Sequence, residues 1–357
     1  MSLRRMQVTD FRCLHQGDIE FDSQLTLISG PNASGKTSLL EAIYVLGRGR
    51  SFRTRRLQHL IRTGAERLIV LGEIEGTGRR VTLGVEASAQ GVRVRLGGDR
   101  VASLAELTTA LPVQIIDPEV HRLIEEGPSR RRRFMDWGVF HVEPSFVSHW
   151  QKYQQALRQR NAALRSGEPR QVVSAWDTEL VRYASLLTDA RVRYIELLQP
   201  IARQVAANLL GMEIHLAYRT GWLRELDFPQ ALDRSWRQDQ ELGSTQVGPQ
   251  RAELSIKLDG VLARDRISRG QQKLLAAALL ISQIKLFKED ASVRPLLLLD
   301  DPAAELDVER LTAFIQEVRA QPLQLVVTTL GKELTEFGAF GRPGRRYRLE
   351  RGAIIAH

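Results

Sequence analysis

Gly30-Pro31-Asn32-Ala33-Ser34-Gly35-Lys36-Thr37, followed by Ser38, satisfies the pattern G-x-x-x-x-G-K-[ST], and its flanks decide how it is read. Residues 24–29 (QLTLIS) alternate apolar and polar side chains, as a strand with one wet face does. Residues 38–46 set Leu39, Ile43 and Leu46 on one face of a helix that Gly47 ends. Strand, glycine-rich loop and helix in that order make a phosphate-binding loop. Its glycines let backbone N–H groups curl around a polyphosphate, and the helix N-terminus adds a favourable dipole. Lys36 is placed for the β- and γ-phosphates and the Thr37 hydroxyl for Mg²⁺. An ordinary glycine-rich turn has no reason to carry the Lys-Thr pair between these two flanks.

A second segment completes the chemistry that such a loop needs. Leu296-Leu297-Leu298-Leu299 runs into Asp300-Asp301, a buried strand that ends on two carboxylates. Asp300 is the candidate on the metal side, and Asp301 the candidate base that polarises the attacking water. Alone, this could equally be a buried strand ending at a helix N-cap; a P-loop in the same chain favours the metal reading. Between the two lies Ile267-Ser268-Arg269-Gly270-Gln271-Gln272, just before a strongly apolar helical stretch. A serine hydroxyl, a glycine and free N–H groups at a helix start suit an anion, although a capped helix has the same residues.

The 357 residues, 43% of them hydrophobic, are enough for a large core in two lobes. Lys and Arg number 51 against 42 acidic residues, a formal charge of +9 that favours polyanionic partners. The excess is concentrated. Arg48, Arg50, Arg53, Arg55 and Arg56 crowd the stretch after the P-loop helix, and Arg130, Arg131, Arg132 and Arg133 form an unbroken run. Both are candidate DNA-backbone contacts, set against the alternative of a solvated face or ion pairs with Glu125 and Glu126. One cysteine, Cys13, permits no intrachain disulfide and no structural zinc site, so a reducing cytoplasm is expected. The longest apolar run, residues 274–281, is too short to cross a bilayer, and no export signal is expected at the start.

The remaining pattern predicts an α/β chain. Residues 67–74, 80–86 and 92–96 read as an antiparallel β meander, 146–164 and 171–210 as two antiparallel helices broken around residues 166–169, and 218–249 as a polar irregular stretch. Strand 252–258, helix 271–287, buried parallel strands at 296–299 and 324–328, and a hairpin at 347–355 follow. The P-loop and the acidic strand must meet in space, so an ATPase head is split by a helical insertion. The expected division is 1–120 (head), 121–250 (helical arm or lobe) and 251–357 (head).

Ser268, Gly270 and Gln271 resemble the L-S-G-G-Q signature of ABC-type ATPases, with Ile267 and Arg269 as departures. Asp307, after Ala304-Glu305-Leu306, resembles the D-loop. Within that class, residues 35–44 and 47–53, Asp117-Pro118-Glu119, residues 131–136 and residues 268–273 are similar to the RecF family of bacterial recombination proteins. The likeness runs from Asp10-Phe11-Arg12 to Asp307. It implies an ABC/SMC-type P-loop ATPase head, a mixed sheet with an antiparallel β subdomain, plus a short helical arm. It further implies an ATP-dependent homodimer on DNA, with each signature on the ATP of its partner. Slow, DNA-stimulated hydrolysis, gap repair, RecR as partner and help in loading RecA onto DNA coated by single-strand-binding protein are part of the same implication. Ala33 departs from a common glycine, and Thr328 and Thr329 stand where transporters of the class have a switch histidine. Gln114 is a candidate Q-loop residue or a surface glutamine. A transporter ATPase subunit and a non-hydrolysing ATP-binding scaffold are the alternatives; the stretch between Thr37 and Ser268 is too short for a full-length SMC protein.

Overall fold

The computed structural model describes residues 2–76, 79–101, 103–287, 294–302, 308–330 and 343–356. They belong to two compact units, one of residues 1–120 with 287–357, the other of residues 121–286.

In the first unit, β1 (Ser2–Phe11), β2 (Leu14–Glu20), β4 (Arg67–Gly76), β5 (Arg79–Ser88), β6 (Gly91–Leu96) and β7 (Asp99–Arg100) form an antiparallel sheet in the order β2-β1-β4-β5-β6-β7. The expected meander is β4 to β6, and the N-terminal hairpin β1–β2 extends it. Buried and exposed residues alternate along β4, so one face is apolar and the other wet.

The second sheet holds β3 (Leu25–Ser29), β8 (Val113–Ile116), β12 (Leu296–Leu299), β13 (Gln324–Thr329), β14 (Arg345–Glu350) and β15 (Ala353–Ala356). Its order is β15-β14-β3-β13-β12-β8, parallel throughout except for the β14–β15 hairpin. All four leucines of β12 are buried, as a parallel strand covered on both faces requires. In this register Ser29 pairs with Thr329 and Leu299 with Val327, which brings the C-terminal ends of β3, β13 and β12 to one edge. Ligands of open α/β sheets bind at such an edge.

Helix α1 (Lys36–Arg48) is buried along nearly its whole length, not on one face alone, because it is apolar all round and shares one core with both sheets. The unit is completed by α2 (Leu104–Ala110), which starts on a Ser103–Glu106 capping box, and α11 (Val308–Arg319).

The second unit contains α3 (Arg122–Glu125), α4 (Pro128–Val142), α5 (Phe146–Arg165), α6 (Arg170–Ser174), α7 (Asp177–Leu210), α8 (Phe228–Leu242), α9 (Ala263–Arg266) and α10 (Arg269–Lys285). A small antiparallel sheet, β9 (Ile214–Arg219), β10 (Glu253–Leu258) and β11 (Val261–Leu262), accompanies them. The two long antiparallel helices are α5 and α7. Two expectations are corrected here. Residues 251–286 do not return to the head, because β10 pairs with β9 along six residues and α10 packs on α7. Part of the supposedly irregular stretch is α8, started by an Asp227–Gln230 capping box. Two arginines are fully enclosed: Arg160 on Asp177, Asp239 and Thr245, and Arg191 on Asp136 and the Pro249 carbonyl. No described helix is long and apolar enough to cross a membrane.

Candidate functional site

The loop between β3 and α1 has the geometry its residues call for. A Cβ on Gly30 would come within 2.5 Å of the Leu349 carbonyl oxygen, and Gly35 has φ +110, so both positions need glycine. Ala33 has φ +62 as well. The alanine is therefore a strained substitute for the usual glycine, at a cost of about 1–2 kcal/mol, even though Gly30 and Gly35 remain. Gly352, in the turn of the β14–β15 hairpin, donates its N–H to the Ser34 carbonyl at 2.9 Å and braces the loop from behind. Pro31 and Asn32 are exposed, Ser38 is buried, and the buried Ser34 Oγ has no hydrogen-bond partner among the described residues. A buried hydroxyl without a partner beside exposed loop residues fits an anion that is to arrive from solvent.

Lys36 Nζ donates to the Gly30 carbonyl at 2.8 Å and to the Pro31 carbonyl at 3.2 Å, and lies 3.6 Å from Asp301 Oδ2. Thr37 Oγ1 donates to Asp300 Oδ2 at 2.8 Å. The P-loop and the acidic strand, 263 positions apart in the chain, thus close one site. Adjacent ligands of an octahedral Mg²⁺ lie about 3 Å apart, from metal–oxygen distances near 2.1 Å. Thr37 and Asp300 fit that ion as neighbouring oxygen ligands, directly or through water.

Asp301 takes φ +47, a left-handed turn that re-aims its side chain toward Lys36. Burial pushes its carboxyl above the usual aspartate range against the pull of the Lys36 ammonium, and the Asp300 charge adds to the rise. The strand between P-loop and acidic pair contributes a residue of its own. Thr328 Oγ1, on β13, donates to Asp300 Oδ1 at 2.8 Å and accepts the Asp301 N–H at 3.0 Å. Asp307, and Glu305 with it, lie outside the described residues.

Arg12 and Glu41 carry no role in the sequence reading and are joined in the structure. Glu41, fully buried in α1, accepts from the Arg12 guanidinium, which sits at φ +51 between β1 and β2, and from Ser51 Oγ. Ser51 in turn accepts the N–H groups of Arg53 and Thr54. One acid in the otherwise apolar run LLEAIYVL was the available signal. Gln114 is neither at the surface nor at the ligand edge. It is buried in β8 opposite Leu297 and accepts from Arg48, whereas Ile116 is the residue level with the end of β12.

The two arginine clusters lie in different environments. Arg50, Arg55 and Arg56 are exposed and form no ion pair with any described residue, and Arg53 is half exposed, 3.9 Å from Glu41. Arg48 is buried over the Tyr44 ring, and burial pushes its guanidinium down to about 10, still charged at neutral pH. It is corrected from a DNA contact to a core residue. Arg131 is corrected likewise: it is 7% exposed in its side chain, forks onto both carboxylate oxygens of Glu253, and donates to the carbonyls of Ile124 and Glu126. Arg132 is half buried and donates to the Ala252 carbonyl at 2.7 Å, and Arg130 pairs with Glu126, whose carboxyl it holds below the usual range. Arg133 is exposed.

In the second unit Ser268 caps α10. Its Oγ accepts the Gln271 N–H at 3.3 Å, and the Gln271 side chain returns to the Ser268 N–H. Ser268, Arg269 and Gly270 are exposed, and a Cβ on Gly270 would meet nothing within 4 Å. Both the capped-helix reading and the anion reading are compatible with this geometry: the cap closes within the helix, and its first residues are exposed.

The description of the RecF/RecN/SMC N terminal domain matches residues 2–339. The DNA replication and repair protein RecF of Pseudomonas fluorescens is 39% identical over 359 residues, covering 99% of this chain and 98% of the relative. The protein of the same name from Shewanella pealeana is 34% identical over 356 residues and 99% of both chains. A solved structure of the recombination mediator protein RecF with ATP superposes with a TM-score of 0.89 at 25% identity, covering 100% of this chain and 97% of that one.

Proposed function

This chain belongs to the RecF family, and from that premise we propose that it is an ATP-dependent DNA-binding protein of recombinational gap repair. It dimerises around ATP on DNA, hydrolyses ATP slowly under stimulation by DNA, and with RecR promotes RecA loading onto gaps coated by single-strand-binding protein. The observation that carries the reading is the Thr37–Asp300 hydrogen bond beside Lys36, which joins the P-loop and the acidic pair in one site.

Each residue then has a task that follows from its position. The Lys36 ammonium, now held by two loop carbonyls, exchanges them for β- and γ-phosphate oxygens. The N–H groups at the start of α1 and the Ser34 hydroxyl line the phosphate cradle. Thr37 and Asp300 would hold Mg²⁺, which would supply positive charge against the phosphates. Asp301, whose carboxylate faces the phosphate-side Lys36, accepts a proton from the attacking water. Ser268, Gly270 and Gln271 present their open helix start to the γ-phosphate bound by a second copy, and Asp307 is assigned to the same interface on the sequence resemblance alone. Exposed arginines of residues 50–56 meet the DNA backbone without reading its sequence.

Sedimentation with ATP, with ADP and with ATP plus gapped duplex tests the reading. ATP alone is expected to produce a dimer and DNA to shift it further, with ADP leaving a monomer. Lys36→Met is expected to lose ATP binding. Ser268→Arg is expected to bind ATP as a monomer, and Asp301→Asn to bind ATP, stay dimeric and turn over slowly. Normal dimerisation by Ser268→Arg would remove the signature assignment; phosphate release by Asp301→Asn at the wild-type rate would move the base elsewhere.

A further inference from the structure

Asp300 and Asp301 sit on a strand end, where nothing in the strand itself chooses the rotamer of the first carboxylate or the backbone turn of the second. Both meet one side chain of the neighbouring strand. Thr328 is fully buried on β13. Its hydroxyl donates to Asp300 Oδ1 at 2.8 Å, with the Leu299 carbonyl a more distant acceptor at 3.4 Å, and accepts the Asp301 N–H at 3.0 Å. A hydroxyl has one proton to give and lone pairs to receive, and here both capacities are spent on the acidic pair.

We infer that Thr328 is a positioning residue for the metal side of this site: its hydroxyl fixes Asp300 so that Oδ2 faces Thr37, and holds the Asp301 turn that aims the second carboxylate at Lys36. This rests on the ATPase reading proposed above. Three observations support it. Asp300 uses one oxygen on Thr328 and the other on Thr37, so its carboxylate plane is set from two sides. Asp301 holds φ +47, a conformation unfavourable for a residue with a Cβ, which needs a compensating bond such as the one from its own N–H to Thr328. Finally, valine fills the same shape in a buried strand without a polar group to satisfy, so packing alone gives no reason for a hydroxyl at this position. Mg²⁺ demands near-ideal octahedral geometry and tolerates a swinging carboxylate poorly, so loss of this bond falls on the metal before it falls on the nucleotide.

The test is an equilibrium titration of a fluorescent ATP analogue into wild type, Thr328→Val and Thr328→Ser, in EDTA and then across a range of Mg²⁺ concentrations. In EDTA the three are expected to bind within about twofold of one another, since the loop carbonyls that hold Lys36 do not involve Thr328 and only the more distant Asp301 contact is loosened. The Mg²⁺ concentration giving half of the affinity gain is expected to rise roughly tenfold in Thr328→Val, the scale of a lost hydrogen bond to a charged group. Thr328→Ser keeps the hydroxyl and is expected within about twofold of wild type. If Thr328→Val does not fold, Thr328→Ala against Thr328→Ser makes the same comparison at matched small volume. An unshifted Mg²⁺ midpoint in the variant lacking the hydroxyl overturns the inference, as does a serine variant shifted as far as that variant. A wild-type protein whose analogue binding does not respond to Mg²⁺ overturns the ATPase reading and the inference with it.

Discussion

Residues 48–56 and residues 130–133 are the two arginine-rich stretches of this chain, equally basic on paper, and they end in opposite environments. In the first, all but Arg48 lie beyond the end of α1, and Arg50, Arg55 and Arg56 reach solvent without an acidic partner among the described residues. In the second, the four arginines sit on α4, and only Arg133 is exposed. The helix explains the contrast. Successive helical residues turn by about 100°, so four in a row sweep about 300° around the axis and cannot share a face. At least one must point inward, and Arg131 does so, onto Glu253 and a set of carbonyls. A run of like charges is therefore a surface patch only if the backbone beneath it is not regular, or if the run follows the period of the element.

The largest effect is expected from Arg131→Met, which strands the Glu253 carboxylate opposite an apolar side chain. Unfolding by urea is expected to show a loss of about 3 kcal/mol, in the range for breaking a largely buried pair. DNA affinity of the folded protein is expected to keep its salt dependence; a flatter dependence would return Arg131 to the DNA-contact class. Next in size is the triple change of Arg50, Arg55 and Arg56 to Gln. If each meets a phosphate, log affinity against log salt is expected to become shallower by about 2–3 units, read by anisotropy, with ATP binding intact. An unchanged slope would make the loop a solvated face. The smallest effect is expected from Arg130→Gln, a partly exposed partner of Glu126 four residues away, where stability is expected to stay within about 0.5 kcal/mol of wild type. A larger loss would mean that the whole α4 run is structural.

The two segments that meet at Thr37 and Asp300 were legible in the sequence because each pattern is local: the glycines, lysine and threonine of the loop fall within one short stretch of chain, and four leucines run directly into two carboxylates. Even there the cost at Ala33 was hidden, since a φ of +62 leaves no mark in composition. The bond between Thr328 and Asp300 was invisible for another reason: β13 and β12 pair across 28 positions, and side-chain registry between parallel strands follows from the sheet order. The boundary at 251 was misplaced on similar grounds. A strand-like segment says nothing about its partner, and β10 found β9 in the second unit.

Period, spacing and residue type therefore sufficed to find the P-loop pattern, the acidic strand end and the two long helices, each of which depends on neighbours within a few turns of chain. Which arginines face water, which strand orients Asp300, and why Glu41 sits fully buried within α1 with Arg12 and Ser51 on it depend on groups tens to hundreds of residues apart. Burial and hydrogen bonding are properties of the packed chain. A charge or hydroxyl acquires its role only when folding removes water from one side of it and places a partner on the other.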